Sequence, residues 1–283
     1  MKIKKALMCG AMAAVMLFAG CGEDKSVDIS EIIAASTRVS SNVTDITPQS
    51  GDIIATIEIE DYGTIKAVLF PEAAPVGVEN FWKLCDAGYY KGLTIHRVVE
   101  GFMLQGGSKN GNGTGGEAMV NGGKFSIETS QNVRHFYGAL CYANAGADNN
   151  TTQFYIVNGK TPEDLNSLAD TVQNNIDYFK EAADYYKEQG ASDAVASCEQ
   201  NISYYQTMLD WVTSADAEIK ARYKEKGGAP DLDGNYTVFG QVYEGFDVID
   251  AISAVDVKDN GAGEYSKPLR DIIIKDISVS TFK

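Results

Sequence analysis

Histidine is almost absent from this 283-residue chain: His96 and His135 are the two it has, too few for a histidine-rich metal site. Cysteine is sparse as well. Beyond the first 21 residues only Cys85, Cys141 and Cys198 remain, without any C-x-x-C spacing, so they read as small buried hydrophobes rather than redox or metal ligands. Positive charge is in deficit, with 24 Lys and Arg against 39 Asp and Glu and a net charge of −15. That is the wrong sign for a nucleic-acid binder, which releases phosphate counterions by presenting cations. No apolar run reaches the ~20 residues that a spanning helix needs. What is present is ordinary, 44% hydrophobic and 22% charged, enough for one large domain or two small ones to fold without disulfide staples.

The first segment reads as an address. Lys2, Lys4 and Lys5 precede an apolar run from Ala6 to Phe18, the layout of an export signal. Ala19-Gly20-Cys21 resembles the bacterial lipoprotein signal, although Phe18 stands where that pattern usually has Leu. The resemblance implies cleavage after residue 20, lipidation of Cys21 and an extracytoplasmic location, the protein held at a membrane by acyl chains; two or more anchor stably where one is marginal. Residues 21–51, rich in Ser, Thr, Asp and Asn, are then expected to be the lipidated cysteine and a flexible tether, with room for a short helix over 29–35.

From Ile53 the pattern changes to short β-branched and aromatic runs between turns. IIATIEIE and TIKAVLF flank Tyr62-Gly63 as a hairpin, and LTIHRV, FMLQGG, GALCYA, TQFYIV, YTVFGQV and RDIIIKDISV follow, so a closed barrel or a sandwich is expected. Val78, Phe81, Trp82 and Cys85 recur at helical spacing and end at Gly88. Residues 161–228 break the rhythm. Thr161-Pro162-Glu163-Asp164 predicts a helix start, with Thr161 as the cap. An apolar stripe from Leu165 to Tyr186 stops at Gly190, and a second runs from Val195 to Tyr223. The expectation is a two-helix hairpin whose stripes face each other, the barrel or a partner protein.

Four motifs then recur in order: HRVVEGFMLQGGS at 96–108, NGTGG at 112–116, YANAGADNNTTQFYIV at 142–157 and LDGNYTVFG at 232–240. Together they resemble the cyclophilin family of peptidyl-prolyl cis-trans isomerases, over 52–159 and 229–279. The resemblance implies a mainly β fold, an eight-stranded antiparallel barrel capped by two helices at 76–87 and 245–253, with the substrate groove outside it. The domain plan is then a barrel in two parts, 52–160 and 229–283, interrupted by the helical insertion at 161–228 in a loop that borders the groove.

Rotation about an X-Pro bond is opposed by amide resonance, a barrier of ~18–20 kcal/mol, and no bond has to break. Neither nucleophile, metal nor cofactor is required. A fixed cation that donates a hydrogen bond to the prolyl nitrogen as it pyramidalises stabilises the rotating state selectively. The resemblance assigns that task to Arg97, held by Gln105. It implies a proline slot lined by Phe102, Met103, Tyr155 and Leu232, and peptide contacts at Gly113, Ala143, Asn144, Ala145, Gln153 and Tyr236. Tyr155 stands where the family usually has Phe, Asp231 where many members have Trp, and Tyr236 where many have His. Slower turnover or altered preference is expected from Tyr155. His96 is expected to be structural, since rotation needs no general base. The partners implied are proline-containing unfolded or exported polypeptides, with no nucleic acid. The alternative is a peptide-binding or chaperone module of weak or no isomerase activity.

Overall fold

Alternation of side chains is what curls the chain. In β1 (Ile53–Ile59), Ile53, Ala55, Ile57 and Ile59 enter one buried cluster and Ile54 another; in β6 (Asn150–Val157), Phe154 and Ile156 enter the first, Tyr155 and Val157 the second. A period of two sends neighbours to opposite faces, and here both faces are covered. The computed structural model describes residues 29–35, 40–146 and 149–283; the expected leader and Cys21 lie outside the described residues.

The other strands of the main sheet are β2 (Gly63–Leu69), β3 (Arg97–Val99), β4 (Met103–Gly106), β5 (Ala139–Asn144), β7 (Val238–Glu244) and β10 (Ile274–Thr281). They run antiparallel in the order β10-β1-β2-β7-β5-β6-β4-β3. Closure comes just outside the regular ladder: Ile95 N donates to Ile272 O at 2.9 Å, and Ile274 N to Leu93 O at 2.8 Å. Two helices close the ends of the curled sheet, α2 (Pro75–Asp86), starting at a proline that needs no N–H there, and α6 (Phe246–Ser253). Their apolar faces, Val78, Phe81, Trp82 and Leu84 on one and Val248, Ile249 and Ile252 on the other, fill the interior. Phe81 meets Phe154 edge-on at 5.9 Å and Phe239 at 5.1 Å. A separate ribbon, β8 (Val257–Asp259) with β9 (Tyr265–Pro268), lies against β3 and was not foreseen from the sequence.

The insertion has three helices, not two. α3 (Leu165–Glu188) and α4 (Ser192–Ser214) pack along each other, but the second apolar stripe breaks at Ala215, and Asp216 caps a new helix, α5 (Ala217–Lys226), accepting from Ile219 N at 2.9 Å. The start also moves. Asp164, not Thr161, caps α3, because residues 161–163 are drawn into the neck of the insertion, where Glu163 N donates to Tyr223 O. The stripes face each other and, at the base, the barrel residue Phe136, whose ring meets Tyr223 at 4.5 Å.

The described part of the expected tether is folded onto the barrel. α1 (Ile29–Ala35) lays Ile29, Ile32 and Ile33 on the core. Asn42 is fully buried, bonded to both the N–H and the C=O of Arg134 and to Gln241. One asparagine satisfying three buried polar groups explains why a polar segment is held there.

Candidate active site on the outer face of the barrel

Strand register builds the site. Arg97 on β3 pairs with Gln105 on β4, Gln105 with Tyr155 on β6, and Tyr155 with Cys141 on β5, one straight row across four strands. Directly opposed residues share a face, here the outer one, so residues up to 50 positions apart become neighbours. Met103, two residues before Gln105, joins the same face.

Along this row runs a chain of amide contacts. Arg97 Nη1 donates to Gln105 Oε1 at 3.1 Å, Gln105 Nε2 to Gln153 Oε1 at 3.1 Å, and Gln153 Nε2 to the Gly113 carbonyl at 3.0 Å. Gly113 belongs to a loop wound round one hydroxyl: Ser108 Oγ accepts from the N–H of Asn112 and Gly113 and donates to Thr114 O. Its positive φ of 84° suits glycine. The guanidinium sits 6.0 Å from the Phe102 ring centroid, with Met103 Sδ 3.6 Å from Nη1.

Beside it lies the apolar patch. Met103, Tyr155 and Leu232 form a floor, only 2%, 4% and 7% exposed, while Phe102, Ala143 and Tyr236 are half-buried at its edge. Tyr155 stacks on His135 at 6.2 Å and meets Tyr236 edge-on at 6.2 Å. Its hydroxyl is buried with the Cys141 thiol beside it and, among the described residues, no oxygen or nitrogen partner, and burial pushes its ionisation far up. Asn144 is the last residue of β5 and Ala145 follows it in the turn, where Asn144 Oδ1 accepts from Gly146 N. Thus Arg97, Gln105, Gln153 and Gly113 form one connected group, Phe102, Met103, Ala143, Tyr155, Leu232 and Tyr236 a second against it, and the structure ties Asn144 and Ala145 to neither group.

Two acids were not anticipated here. Glu264, at the turn of the β8–β9 ribbon, takes Arg97 side-on: Nε to Oε2 and Nη2 to Oε1, both 2.7 Å. The Arg97 hydrogen bond holds the Glu264 carboxyl down to about 2. Asp233, next to Leu232, is buried and accepts from Arg134 Nη1 at 3.3 Å, His135 N at 3.0 Å and the Tyr223 hydroxyl at 2.8 Å, with His135 Nδ1 at 2.8 Å. Arg134 lies over Trp211 of α4 at 4.4 Å, so this cluster joins the insertion to the loop that supplies Leu232 and Tyr236. Nothing local signals Glu264, which is 167 residues from Arg97 in an ordinary polar turn; Asp233 was visible as part of the fourth motif, without its role.

Burial and the neighbouring Arg97 charge lower His96 to about 4, leaving it neutral at pH 7 beside the Gly113 loop. Asp231 is pushed up by burial, and so are Tyr236 and Glu163, with the Asp231 charge adding to the rise of both. Cys85 and Cys141 are buried with their thiols pushed up, and Cys198 is buried as well.

Known proteins are similar to this chain over most of its length. The family model "Cyclophilin type peptidyl-prolyl cis-trans isomerase/CLD" matches residues 54–181 and 219–279. A curated relative from Staphylococcus aureus strain USA300, named "Putative peptidyl-prolyl cis-trans isomerase", is 35% identical over 219 residues, covering 77% of this chain and 87% of its own. One from Streptococcus pyogenes, named "Putative bifunctional phosphatase/peptidyl-prolyl cis-trans isomerase", is 35% identical over 222 residues, 77% of this chain and 37% of that protein. Among solved structures, a cyclophilin type peptidyl-prolyl cis-trans isomerase of Cryptosporidium parvum superposes with a TM-score of 0.53 at 22% identity, over 82% of this chain and 99% of its own.

Proposed function

The chain belongs to the cyclophilin-type peptidyl-prolyl cis-trans isomerases, and from that premise we propose that Arg97 is the group that accelerates rotation, acting on prolines seated against Phe102, Met103, Tyr155 and Leu232. In the twisted state the prolyl nitrogen loses amide conjugation and regains a lone pair. An N–H of Arg97 beside the apolar patch meets that lone pair with a charge that stays fixed, so the interaction strengthens only as rotation proceeds. Accelerations of ten-thousandfold to millionfold correspond to ~5.5–8 kcal/mol. One well-aimed donor typically supplies ~3–4 kcal/mol of this, and exclusion of water by the patch strengthens it. The main chain at Asn144 pairs with the peptide before the proline, with Gln153 and Gly113 flanking it.

The observation that carries this reading is the register row, which sets a tethered guanidinium within 6.0 Å of Phe102 and in contact with Met103. The finer setting follows from the leader: cleavage before Cys21 and its acylation place the enzyme at the outer surface of a membrane, where exported, unfolded chains present prolines, and the insertion of 161–228 beside the groove is available to hold them. Arg97→Ala is the test. In a protease-coupled assay on a proline peptide, kcat/KM should fall at least a hundredfold while peptide binding persists. Unchanged turnover would remove Arg97 from the reaction, and retention of peptide binding without any wild-type turnover would favour the peptide-holding alternative.

A further inference from the structure

The guanidinium of Arg97 is not held by Gln105 alone. Of its five N–H donors, Glu264 takes two along the Nε–Nη2 edge and Gln105 takes one on Nη1. Among the described residues no acceptor takes the second N–H of Nη2, and the second on Nη1 has only the weak Met103 sulfur as a partner. A planar fork gripped by a bidentate carboxylate on one edge keeps its orientation while the N–H groups outside that grip keep a fixed aim.

Glu264 is itself fixed. Asn260 Nδ2 donates to Glu264 Oε2 at 3.3 Å and to Ser266 Oγ at 3.3 Å, and Ser266 is fully buried. Asn260 N donates to Glu264 O at 2.9 Å, closing the turn, and Leu269 N donates to Asp256 O at 2.9 Å, closing the base of the ribbon. β9 also packs on β3, the strand that carries Arg97. A displaceable latch needs a hinge; this acid stands on an element tied at its turn, at its base and along its length.

We propose that Glu264 is a positioning residue for the isomerase reaction, clamping Arg97 from the side opposite Gln105 so that one N–H on each terminal nitrogen is presented to the prolyl substrate. This rests on the assignment of Arg97 above. A carboxylate on one edge removes part of the cation's reach, yet it replaces the wandering of a long, half-exposed side chain with a single aim, and preorganised donors are worth most where water is excluded.

The experiment compares kcat and KM of the wild type with Glu264→Ala, Glu264→Gln, Arg97→Ala and the Arg97/Glu264 double alanine variant, using a proline peptide. Loss of aim should lower kcat of Glu264→Ala about tenfold to thirtyfold with KM within twofold. Glu264→Gln, which keeps the shape and one acceptor, should recover part of that loss, and also serves if the alanine variant is poorly folded. The double variant should be no slower than Arg97→Ala, because the clamp acts only through the guanidinium. A slowly exchanging Arg97 Nε–H resonance in the wild type should be lost in Glu264→Ala. Turnover of Glu264→Ala equal to or above wild type would overturn the clamp and mark Glu264 as a competitor for Arg97; so would losses that multiply in the double variant. A wild type without turnover sinks the functional assignment and the clamp together, whereas an active wild type indifferent to Glu264 sinks the clamp alone.

Discussion

Replacing Asp233 by alanine should be among the most damaging single changes in the protein, although the side chain touches no substrate. Asp233 and Arg134 are 3% and 1% exposed, and four contacts converge on the two carboxylate oxygens. Removing the carboxylate leaves the guanidinium buried without its counterion, a fault that costs ~3–5 kcal/mol. Arg134 keeps Trp211 O, Gln131 Oε1 and the Trp211 ring, which pulls its share toward the lower end. The Tyr223 hydroxyl loses its acceptor, adding ~1 kcal/mol. The total is about 4 kcal/mol, a large part of the ~5–15 kcal/mol available to a folded domain. With a urea m-value of ~2–3 kcal/mol/M the midpoint should drop by roughly 1.5 M. Amide exchange should locate the damage in α4, in α5 and in the Leu232–Tyr236 loop, so isomerase activity should fall along with stability. Arg134→Met added to Asp233→Ala should recover part of the loss, since the orphaned charge goes with it. A midpoint within ~0.3 M of wild type, or losses that simply add in the double variant, would refute the reasoning.

Three other outcomes follow from the same packing. His96 is held near 4 against an ordinary 6.5, so the unfolded chain takes up its proton first; stability should be level above pH 6.5 and decline toward pH 4, by up to ~3 kcal/mol from this group, and His96→Phe should remove that step in denaturation midpoints measured against pH. Activity should show no limb from His96 between pH 6.5 and 8. Tyr155→Phe deletes a buried hydroxyl with no oxygen or nitrogen partner among the described residues and should raise stability by about 1 kcal/mol with turnover kept or increased; a loss of both would show that the hydroxyl is satisfied by the thiol of Cys141. Deleting 163–226 should leave a folded barrel, since the chain re-enters beside Lys160, but one with a lowered melting temperature because Phe136 and Arg134 lose Tyr223 and Trp211; a melt as high as that of the intact protein would contradict the packing described.

Reading the chain alone went furthest where the information is local. Alternation predicts the hairpin of β1 and β2, helical spacing predicts α2, and the motif around HRVVEGFMLQGG brings Arg97, Met103 and Gln105 within nine residues, where one strand register suffices to align them. It failed where a stop signal competed with tertiary demand. Thr161 has the chemistry of a cap, yet the neck of the insertion uses that stretch to meet Tyr223, and Asp164 becomes the cap. The break at Ala215–Asp216 was hidden because apolar residues on either side keep helical spacing across it. A polar segment such as 40–51 looks like a tether until Asn42 finds the buried groups of Arg134 and Gln241 that no local pattern reveals.

Residue types at short and regular spacing are enough to make the family, the barrel-forming alternation and the helical character of 165–226 legible in the chain, and they nominate Arg97. Which acid faces Arg97, the tie that Asp233 makes between the insertion and the loop of Leu232 and Tyr236, and the burial of the Tyr155 hydroxyl come from the folded chain instead. Those outcomes depend on contacts between residues up to 167 positions apart, and chain closure over such distances is settled by the packing of the whole barrel, not by the propensity of any segment.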